Sequence, residues 1–413
     1  MAGPVVIAGA GQAGLQVAVS LRQLGFDGEI TLVGDEPGLP YQRPPLSKAY
    51  LKDGAAERLV LRNADFFADN RIELLNENRV DAIDRQARAV TLGSGSAIGY
   101  DHLVLALGAR NRQLPLDGAG LENVVELRTL AHAADIRERL GSISHAVVIG
   151  GGFIGLEFAA VARGLGKAVT VLEATPRVMG RVVSEPVSAY FAEFHRAAGV
   201  ALETGAMAAG LTDDGQGRVA GVRLADGRTV DCDMVLVAAG IVPNVEPAAA
   251  AGLDVDNGIV VDERLQTGDP AVSAIGDCAA FPDPASGERI RLESVQNATD
   301  QAKFVAARLT GADGVYDAVP WFWSDQGDRK LQIAGLTGPA DDRVSIDGGD
   351  GRLSVHCFRD GTFIGCETVN VPADHMMARR MLGTAGRFTR TELDEAGFDL
   401  KAFRDKVAGA KDQ

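Results

Sequence analysis

The chain has 413 residues and a formal charge of −15, from 41 Lys and Arg against 56 Asp and Glu. At about 150 residues per domain, this length predicts two to three domains. The acidic balance excludes nonspecific binding to nucleic acid or anionic membranes, because both need a basic surface. The four cysteines form no CxxC pair, which argues against a disulfide scaffold or a zinc site, and we expect no bound metal.

The apolar stretches of the sequence are all shorter than the roughly 18 residues that span a bilayer. The N-terminus shows no charged region followed by an apolar core and a cleavage site, which is the pattern of a signal peptide. We therefore expect a cytoplasmic protein.

Apolar runs of strand length alternate with longer helical patterns up to about residue 320, which is typical of parallel sheets wound with helices. Near the N-terminus, strand Val5–Ala8 leads into the glycine-rich turn Gly9–Gly14, with the sequence GAGQAG. A predicted helix then continues to Leu24, and a second strand, Ile30–Val33, ends just before an acidic pair. This predicts one strand-turn-helix-strand unit.

A second segment repeats this pattern further along the chain. Strand Ala146–Ile149 leads into Gly150–Gly155, with the sequence GGGFIG, then into a helix to about Leu165 and strand Val169–Leu172. The spacing of the two copies is too long for a solenoid and fits two domains. Further strands of the same apolar type are predicted at Leu103–Leu107 and Val235–Ala238.

Both turns have the GxGxxG spacing of dinucleotide-binding folds. The first glycine makes the tight turn, the second lets a pyrophosphate approach the backbone, and the third lets the helix pack on the sheet. The helix N-terminus offers unpaired N–H groups and a partial positive charge to that pyrophosphate. One such turn alone would be weak evidence, but two in matching contexts predict two dinucleotide sites. The glycines concerned are Gly9, Gly11, Gly14, Gly150, Gly152 and Gly155.

An acidic residue follows the last glycine of each turn by about 20 residues, at the end of the next strand, where it accepts bonds from ribose hydroxyls. These acids are Asp35 and Glu173. Two sites in one chain imply two cofactors, most simply a tightly held flavin and an exchangeable nicotinamide. Glu173 would bond the 2′-hydroxyl of NADH and repel the 2′-phosphate of NADPH, so we expect NADH. Arg177 and Arg181 lie nearby and could soften this preference.

From Pro320 the composition changes: both tryptophans occur in PWFWSDQ at 320–326, and strand-like runs follow without helices between them. We expect a third, antiparallel domain closed by helices near the C-terminus. Its Asp- and Gly-rich stretch, Ala340–Gly351, is predicted to be a hairpin or a loop. The predicted strands are Leu331–Ala334, Val344–Ile346, Leu353–Phe358 and Thr362–Cys366.

Another strand runs into a Gly-Asp pair, Gly276 and Asp277. Alone, this dipeptide would be an ordinary Asx turn. Together with two GxGxxG turns it resembles the flavoprotein disulfide reductase superfamily, in which this aspartate bonds the ribityl chain of FAD. The resemblance implies an α/β fold with two Rossmann-like dinucleotide-binding domains and a C-terminal α+β domain, a glutathione-reductase-like architecture. The implied domains are 1–109 with 241–319 (FAD-binding), 110–240 (NADH-binding) and 320–413 (C-terminal).

The early segment PYQRPPLSKAYL, at 40–51, contains no cysteine. Disulfide reductases of this superfamily need a dithiol beside the flavin, and related peroxidases and NADH oxidases use one early cysteine, so we do not expect thiol chemistry. This segment and GGGFIGLE, AIGDCA, ESVQNA and PWFWSDQ, in that order, resemble the putidaredoxin reductase-like, NADH-dependent reductases of [2Fe-2S] ferredoxins. The resemblance extends from about Pro4 to about Val371.

In that family the lysine of PPLSK lies near the flavin N5 and pairs with the glutamate of GGGFIGLE. Here these residues are Lys48 and Glu157, and the second tryptophan of WFWSDQ, Trp323, would lie beside the isoalloxazine. These three are the predicted catalytic residues. Without the resemblance, Lys48 would be interpreted as a solvated lysine and Trp323 as core packing. The cofactor-binding residues predicted in addition to those of the two turns are Ala13, Asp35, Arg43, Lys48, Val80, Arg128, Ile154, Glu173, Gly240, Asp277 and Val295.

The resemblance implies an NADH:ferredoxin oxidoreductase that passes electrons through FAD to a [2Fe-2S] ferredoxin supplying a cytochrome P450 monooxygenase. Three alternatives stay open: the reductase of an aromatic-ring dioxygenase, a rubredoxin reductase, and a redox-sensing interaction protein resembling apoptosis-inducing factor. Such ferredoxins are typically acidic, so docking needs a local basic patch on this acidic chain. Lys303 and the basic residues of 379–413 are the candidates.

Overall fold

A computed structural model describes residues 3–384 and 388–403. Their contacts divide the chain into two compact units, each made of three segments. The first contains the chain up to Gln42, Ala56–Arg110 and Ile241–Ala318, and the second contains Arg43–Ala55, Asn111–Gly240 and the chain from Val319. The predicted division into three domains is finer and stays a prediction. It assigns residues 43–55 to the FAD-binding domain, whereas their contacts lie in the second unit.

The helices and strands are numbered in chain order. The α-helices of the described residues are α1 (Gln12–Gln23), α2 (Ala49–Asp53), α3 (Ala64–Asp69), α4 (Leu130–Leu140), α5 (Phe153–Gly164), α6 (Glu185–Ala197), α7 (Glu246–Ala250), α8 (Val295–Leu309), α9 (Pro372–Leu382) and α10 (Arg390–Glu395). The strands are β1 (Val5–Ala8), β2 (Ile30–Val33), β3 (Ile72–Leu75), β4 (Val80–Asp84), β5 (Ala89–Leu92), β6 (Ala97–Gly99), β7 (His102–Leu105), β8 (Ala109–Asn111), β9 (Val124–Glu126), β10 (His145–Ile149), β11 (Ala168–Glu173), β12 (Ala201–Thr204), β13 (Ala208–Asp213), β14 (Val219–Leu224), β15 (Thr229–Asp231), β16 (Met234–Val237), β17 (Ile241–Pro243), β18 (Ile259–Val260), β19 (Val272–Ala274), β20 (Ala279–Pro282), β21 (Arg289–Ile290), β22 (Trp321–Gln326), β23 (Arg329–Gly335), β24 (Asp342–Gly349), β25 (Arg352–Arg359) and β26 (Thr362–Val369).

The first unit is built on a five-stranded parallel sheet in the order β3-β2-β1-β7-β19. Every residue of β1 and β2 is buried, because their apolar β-branched side chains pack on both faces of the sheet. Helix α1 follows β1 and packs beside α8. The β1-α1 turn therefore lies at the carboxyl end of the central strand, where parallel α/β sheets bind ligands.

The second unit contains a sheet of the same design, in the order β12-β11-β10-β16-β9, again entirely parallel. Each parallel sheet is accompanied by a three-stranded antiparallel meander, β4-β5-β6 in the first unit and β13-β14-β15 in the second. The helices that follow the two glycine turns end at Gln23 and Gly164, each one residue before the predicted end. The repeat seen in the sequence is thus a repeat of structure.

The C-terminal segment of the second unit forms an antiparallel sheet in the order β22-β23-β26-β25-β24, with α9 packed on β23 and β26. This confirms the predicted fold class, two Rossmann-like halves and a C-terminal α+β portion. One detail differs from the sequence prediction, because the WFWSDQ motif is itself strand β22. The stretch Ala340–Gly351, predicted as a hairpin or a loop, belongs to a hairpin: most of it is the exposed edge strand β24, which turns back to pair with β25.

No helix within the described residues is both long and apolar enough to cross a membrane.

Candidate cofactor sites

In the first glycine turn, two glycines leave no room for a side chain and one faces open space. A Cβ on Gly9, where φ is +112°, would lie 2.1 Å from the carbonyl oxygen of Ala106. A Cβ on Gly14 would lie 1.9 Å from the carbonyl oxygen of Gly9, whereas a Cβ built on Gly11 would have no described atom within 4 Å apart from Gly11 and its two chain neighbours. The fold itself requires the first and third glycines, and the second keeps space open before α1.

The second turn reproduces this pattern position by position. Gly150, with φ at +115°, would place a Cβ 2.4 Å from the Ala238 oxygen, and Gly155 would place one 2.2 Å from the Gly150 oxygen. Around Gly152 the same 4 Å sphere is empty of described atoms. Open space at a helix N-terminus, bordered by backbone N–H groups, is what a pyrophosphate needs. Both turns therefore fit a dinucleotide.

The remaining predicted residues of the first unit surround its turn. Asp35 is exposed just beyond β2, and a Cβ on the preceding Gly34 would lie 2.6 Å from the Ala10 side chain. Gly276, with φ at +71°, would place a Cβ 3.3 Å from that of Ala13, which brings the half-buried Asp277 beside α1. These contacts gather both predicted acids at the carboxyl end of the sheet.

Val80 and Val295 occupy element starts in the same unit. Val80 begins β4 and is buried, two residues after Asn78, whose N–H donates to the Gly34 oxygen over 2.9 Å. Val295 begins α8, which packs beside α1. Their predicted contacts with FAD stay predictions.

The Glu173 carboxylate is hydrogen-bonded to the glycine turn of the second unit. Its Oε2 accepts from the Gly151 N–H over 2.8 Å, and its Oε1 accepts from the N–H and the hydroxyl of Thr175 over 2.8 Å and 2.7 Å. Arg177, which could have softened the NADH preference, donates instead to the carbonyl oxygens of Val183 and Gly180 over 2.6 Å and 2.7 Å. Its guanidinium is therefore used to fold the loop.

The other predicted nicotinamide contacts of this unit differ in their surroundings. Ile154, in the first turn of α5, is 43% exposed, which is high for an apolar side chain and leaves it open to a ligand. Gly240 has a φ of +93°, and a Cβ there would lie 3.4 Å from the guanidinium of Arg181, which is exposed. Arg181 is thus the arginine that could still reach a 2′-phosphate.

The predicted pair of Lys48 and Glu157 forms an ion pair in the second unit. Lys48 follows the short 3-10 turn Pro44–Ser47, and its Nζ lies 2.7 Å from Glu157 Oε2 and donates to the Pro44 oxygen over 3.1 Å. The lysine side chain is 19% exposed and the glutamate 3%. A buried carboxylate of this kind needs both a counter-charge and further hydrogen bonds.

Two serines supply those further hydrogen bonds. Ser47 Oγ donates to Glu157 Oε2 over 2.5 Å, and Ser324 Oγ donates to Glu157 Oε1 over 2.6 Å. Both serines lie in motifs that carry the family resemblance, PPLSK and WFWSDQ, but neither serine has a predicted role. The sequence signal that could have identified them is that each serine lies in the same motif as a predicted catalytic residue.

Trp323 and the two predicted arginines also lie in the second unit. The Trp323 ring is half-buried, with its centroid 5.5 Å from that of Trp321, and the Arg379 guanidinium lies 4.4 Å from the Trp321 centroid. Arg43 Nη1 donates to the carbonyl oxygen of Arg128 over 2.8 Å, so these two residues are neighbours. Their roles toward a flavin stay predictions.

All four cysteines are buried and none forms a disulfide. Burial raises the pKa of the Cys232 and Cys357 thiols to about 12 and that of Cys278 to about 11, and it raises the pKa of Cys366 well above its ordinary value. The thiolate is the reactive form of cysteine. None of the four is therefore suited to thiol-disulfide exchange.

No group of three His, Cys, Asp or Glu that could hold a metal ion occurs in the part of the chain that the structure describes.

The candidate docking residues differ in their exposure and in their ion pairs. Lys303, on α8, is 58% exposed, and its Nζ lies 3.9 Å from the Asp300 carboxylate. Arg390 pairs with Asp342 at 3.1 Å. Lys401 is exposed. Four of the other basic residues predicted for docking, Arg387, Arg404, Lys406 and Lys411, lie outside the described residues.

Comparisons with known proteins extend over both units. Residues 3–302 match the family model described as pyridine nucleotide-disulphide oxidoreductase, and residues 321–404 match one described as reductase C-terminal. The chain is 51% identical over 420 residues to the rhodocoxin reductase of Rhodococcus erythropolis, which covers 98% of this chain and 97% of that protein. Among solved structures it is similar to the ferredoxin reductase for the CYP199A2 system from Rhodopseudomonas palustris (52% identity, TM-score 0.93, 96% of this chain and 98% of that one). It is also similar to the covalent putidaredoxin reductase-putidaredoxin complex (40% identity, TM-score 0.93, 99% of both chains).

Proposed function

We propose that this chain, which belongs to the pyridine nucleotide-disulphide oxidoreductase family, is an NADH:ferredoxin oxidoreductase that serves a cytochrome P450 monooxygenase. Family membership implies FAD and NAD(H) as its cofactors, as the two glycine turns predict. The observation that carries the proposal is that both turns have the same open position at a helix N-terminus. Two of the similar reductases named above, that of the CYP199A2 system and the one in a covalent complex with putidaredoxin, support a [2Fe-2S] ferredoxin as the acceptor.

The cysteines separate this proposal from the disulfide chemistry in the family's description. Every cysteine of the chain is buried, and burial raises the pKa of each thiol, so no thiolate is available to relay electrons. The acceptor must then take electrons without a covalent protein intermediate. An iron-sulfur protein meets that requirement.

The residues of this chain bind the two cofactors and position charged groups. When bound, FAD supplies the chemistry that links a two-electron donor, NADH, to a one-electron acceptor. Gly11 and Gly152 leave room for the two pyrophosphates, and Glu173 is held ready for the adenosine ribose of NADH. Lys48 presents a fixed ammonium, neutralised by Glu157, where the resemblance expects the flavin N5. No side chain needs to act as a nucleophile.

Ferredoxin docking must work against the charge of the whole chain, which is −15. Lys303 is well exposed on α8, and its 3.9 Å contact with Asp300 is a loose one. Exposed pairs of this geometry contribute little, so the ammonium stays available to an acidic partner. We propose Lys303 as part of the local basic patch that receives the ferredoxin.

The proposal is tested by NADH-dependent reduction of cytochrome c through a panel of purified [2Fe-2S] ferredoxins and rubredoxins, with NADPH as the control nucleotide. We expect at least one [2Fe-2S] ferredoxin to accelerate cytochrome reduction strongly, with NADH far better than NADPH. A response to rubredoxin alone would favour the rubredoxin reductase alternative. If no iron-sulfur protein accelerates the reaction, the proposed function is wrong.

A further inference from the structure

A buried chain of polar side chains leads from Glu157 through strand β22 to His195 on helix α6. Gln326 Nε2 lies 3.3 Å from Ser324 Oγ, and Gln326 Oε1 lies 2.8 Å from His195 Nε2. Glu157 is 3% exposed, and Ser324, Gln326 and His195 are fully buried. Two members come from the WFWSDQ motif, and the function proposed above uses neither.

The donors of this chain all point in one direction. An ionised carboxylate only accepts, so the single hydroxyl proton of Ser324 is directed at Glu157. The Ser324 oxygen must then accept from the amide nitrogen of Gln326, which also approaches Met179 Sδ at 3.5 Å. This orientation leaves the Gln326 oxygen facing His195, whose Nε2 must carry the proton.

The histidine at the end of the chain suits this direction. Burial lowers the pKa of His195 below its ordinary value, so the ring is neutral and carries one proton. Within the described residues, His195 Nδ1 has no hydrogen-bond partner. Its tautomer is therefore set by Gln326 alone.

We propose that Ser324, Gln326 and His195 are positioning residues: their one-way hydrogen-bond chain holds the Glu157 carboxylate directed at Lys48, and thereby fixes the lysine ammonium. The direction of the hydrogen-bond chain follows from the contacts described above. Only the step from Lys48 to the flavin rests on the proposed function.

The same chain has a second, reversed arrangement. If Glu157 took up a proton, its O–H would donate to Ser324, and the hydroxyl of Ser324 would turn toward Gln326. The amide would flip, and its nitrogen would donate to His195 Nε2, moving the ring proton to Nδ1. The tautomer of His195 therefore reports the charge on Glu157 from three hydrogen bonds away.

The deciding experiment is nitrogen NMR of the purified protein labelled with ¹⁵N-histidine, with the His195 signals assigned through contacts to the Phe194 ring, whose centroid is 5.3 Å away. We expect the Nε2–H tautomer in the wild type. Lys48→Met removes the counter-charge of a buried carboxylate, so Glu157 should take up a proton and His195 should switch to Nδ1–H. An Nδ1–H wild type, or an unchanged tautomer in Lys48→Met, would overturn the proposal.

A matched control exists in the same unit. Thr337 Oγ1 donates to the buried carboxylate of Glu367 over 2.6 Å, the same bond length as that between Ser324 and Glu157. Thr337→Val removes an equivalent bond to a carboxylate that is not a member of the proposed chain, and the His195 tautomer should not change. A switch in this control would show that the tautomer responds to general loosening and would also overturn the proposal.

The kinetic consequence separates positioning from stability. In Ser324→Ala, the rate of flavin reduction at saturating NADH should fall about tenfold while the KM for NADH stays within about twofold. Ser324→Thr, which keeps the hydroxyl, should recover most of the rate, and Thr337→Val should keep the wild-type rate. Equal losses in Ser324→Ala and Thr337→Val would make Ser324 merely structural. If the expected tautomers are found but no ferredoxin is reduced, the proposed function is wrong and the proposed hydrogen-bond chain is still supported.

Discussion

The two glycine turns share a backbone but differ in how they meet the next strand. In both, the first and third glycines lie against backbone oxygens and the second faces open space. In the first unit, Ala10 packs against Gly34, and the acid Asp35 comes one residue later and is exposed. In the second unit, Gly151 stands where Ala10 would, and Glu173 reaches across to its N–H. The open space for a pyrophosphate is therefore the same in both units, while the acidic side chain predicted to meet the ribose is positioned differently in each.

The largest effects should come from closing the packed positions of either turn. Gly14→Ala and Gly155→Ala would each place a Cβ about 2 Å from a backbone oxygen, which demands a shift of helix against strand. We expect each to lower the free energy of unfolding by about 3 kcal/mol or more. The measurement is urea unfolding of the apoprotein.

The open positions are the matched controls. Gly11→Ala and Gly152→Ala should change the free energy of unfolding of the apoprotein by less than about 1 kcal/mol, since their backbone conformations suit any residue. A loss as large as that of the packed positions would show that the space before the helices is not open.

The two open positions should also divide the cofactors between the units. Gly152→Ala should raise the KM for NADH about tenfold or more and leave bound FAD in place, because the new methyl group occupies the space of one pyrophosphate. Gly11→Ala should instead weaken FAD retention. Absorbance of the purified proteins and steady-state kinetics measure both. The reverse assignment of cofactors would contradict the account of the two units.

A smaller effect is expected at the acid that distinguishes the second turn. Glu173→Gln removes the charge that we propose meets the ribose of NADH and should lower kcat/KM for NADH about tenfold. The gain with NADPH should stay within about threefold, because Arg177 is committed to the carbonyl oxygens of its own loop. A large gain with NADPH would mean that Arg181 already serves a 2′-phosphate, and Arg181→Ala would then abolish it.

The smallest effect concerns an exposed residue of the first unit. Lys303→Glu should raise the apparent KM for the ferredoxin about fivefold, and less at high salt, because an exposed charge mainly steers association. The KM for a small dye acceptor should not change. Equal effects on both acceptors would remove Lys303 from the docking patch.

The fold and the cofactor turns could be predicted because their signals are local. Strand β1 and its turn are adjacent in sequence, and the glycine spacing follows from the turn alone. Most helix and strand ends were predicted within two residues, but β24 and β26 each continue three residues beyond the predicted end. Only Val344–Ile346 of strand β24 was predicted as a strand, because the Asp and Gly residues on either side lack apolar alternation, and the rest of its pairing comes from the backbone of β25.

The partners of Glu157 could not be predicted, for a different physical reason. Ser47 and Ser324 lie 110 and 167 positions away in the sequence, and only the folded chain brings them to one carboxylate. Serine also has no distinctive pattern in a sequence, since most serines are solvated or cap turns. The ion pair itself was predicted only through family resemblance, because a lone lysine at a helix start is ordinarily exposed.

The central claim is that electrons leave NADH in a pair and reach a [2Fe-2S] ferredoxin singly. The most direct measurement is the stoichiometry of an anaerobic reaction that follows NADH consumption and ferredoxin bleaching together in the presence of catalytic amounts of the protein. We expect two ferredoxins to be reduced for each NADH consumed, with flavin present and all four cysteines unmodified. Consumption of NADH without bleaching of any [2Fe-2S] ferredoxin would contradict it.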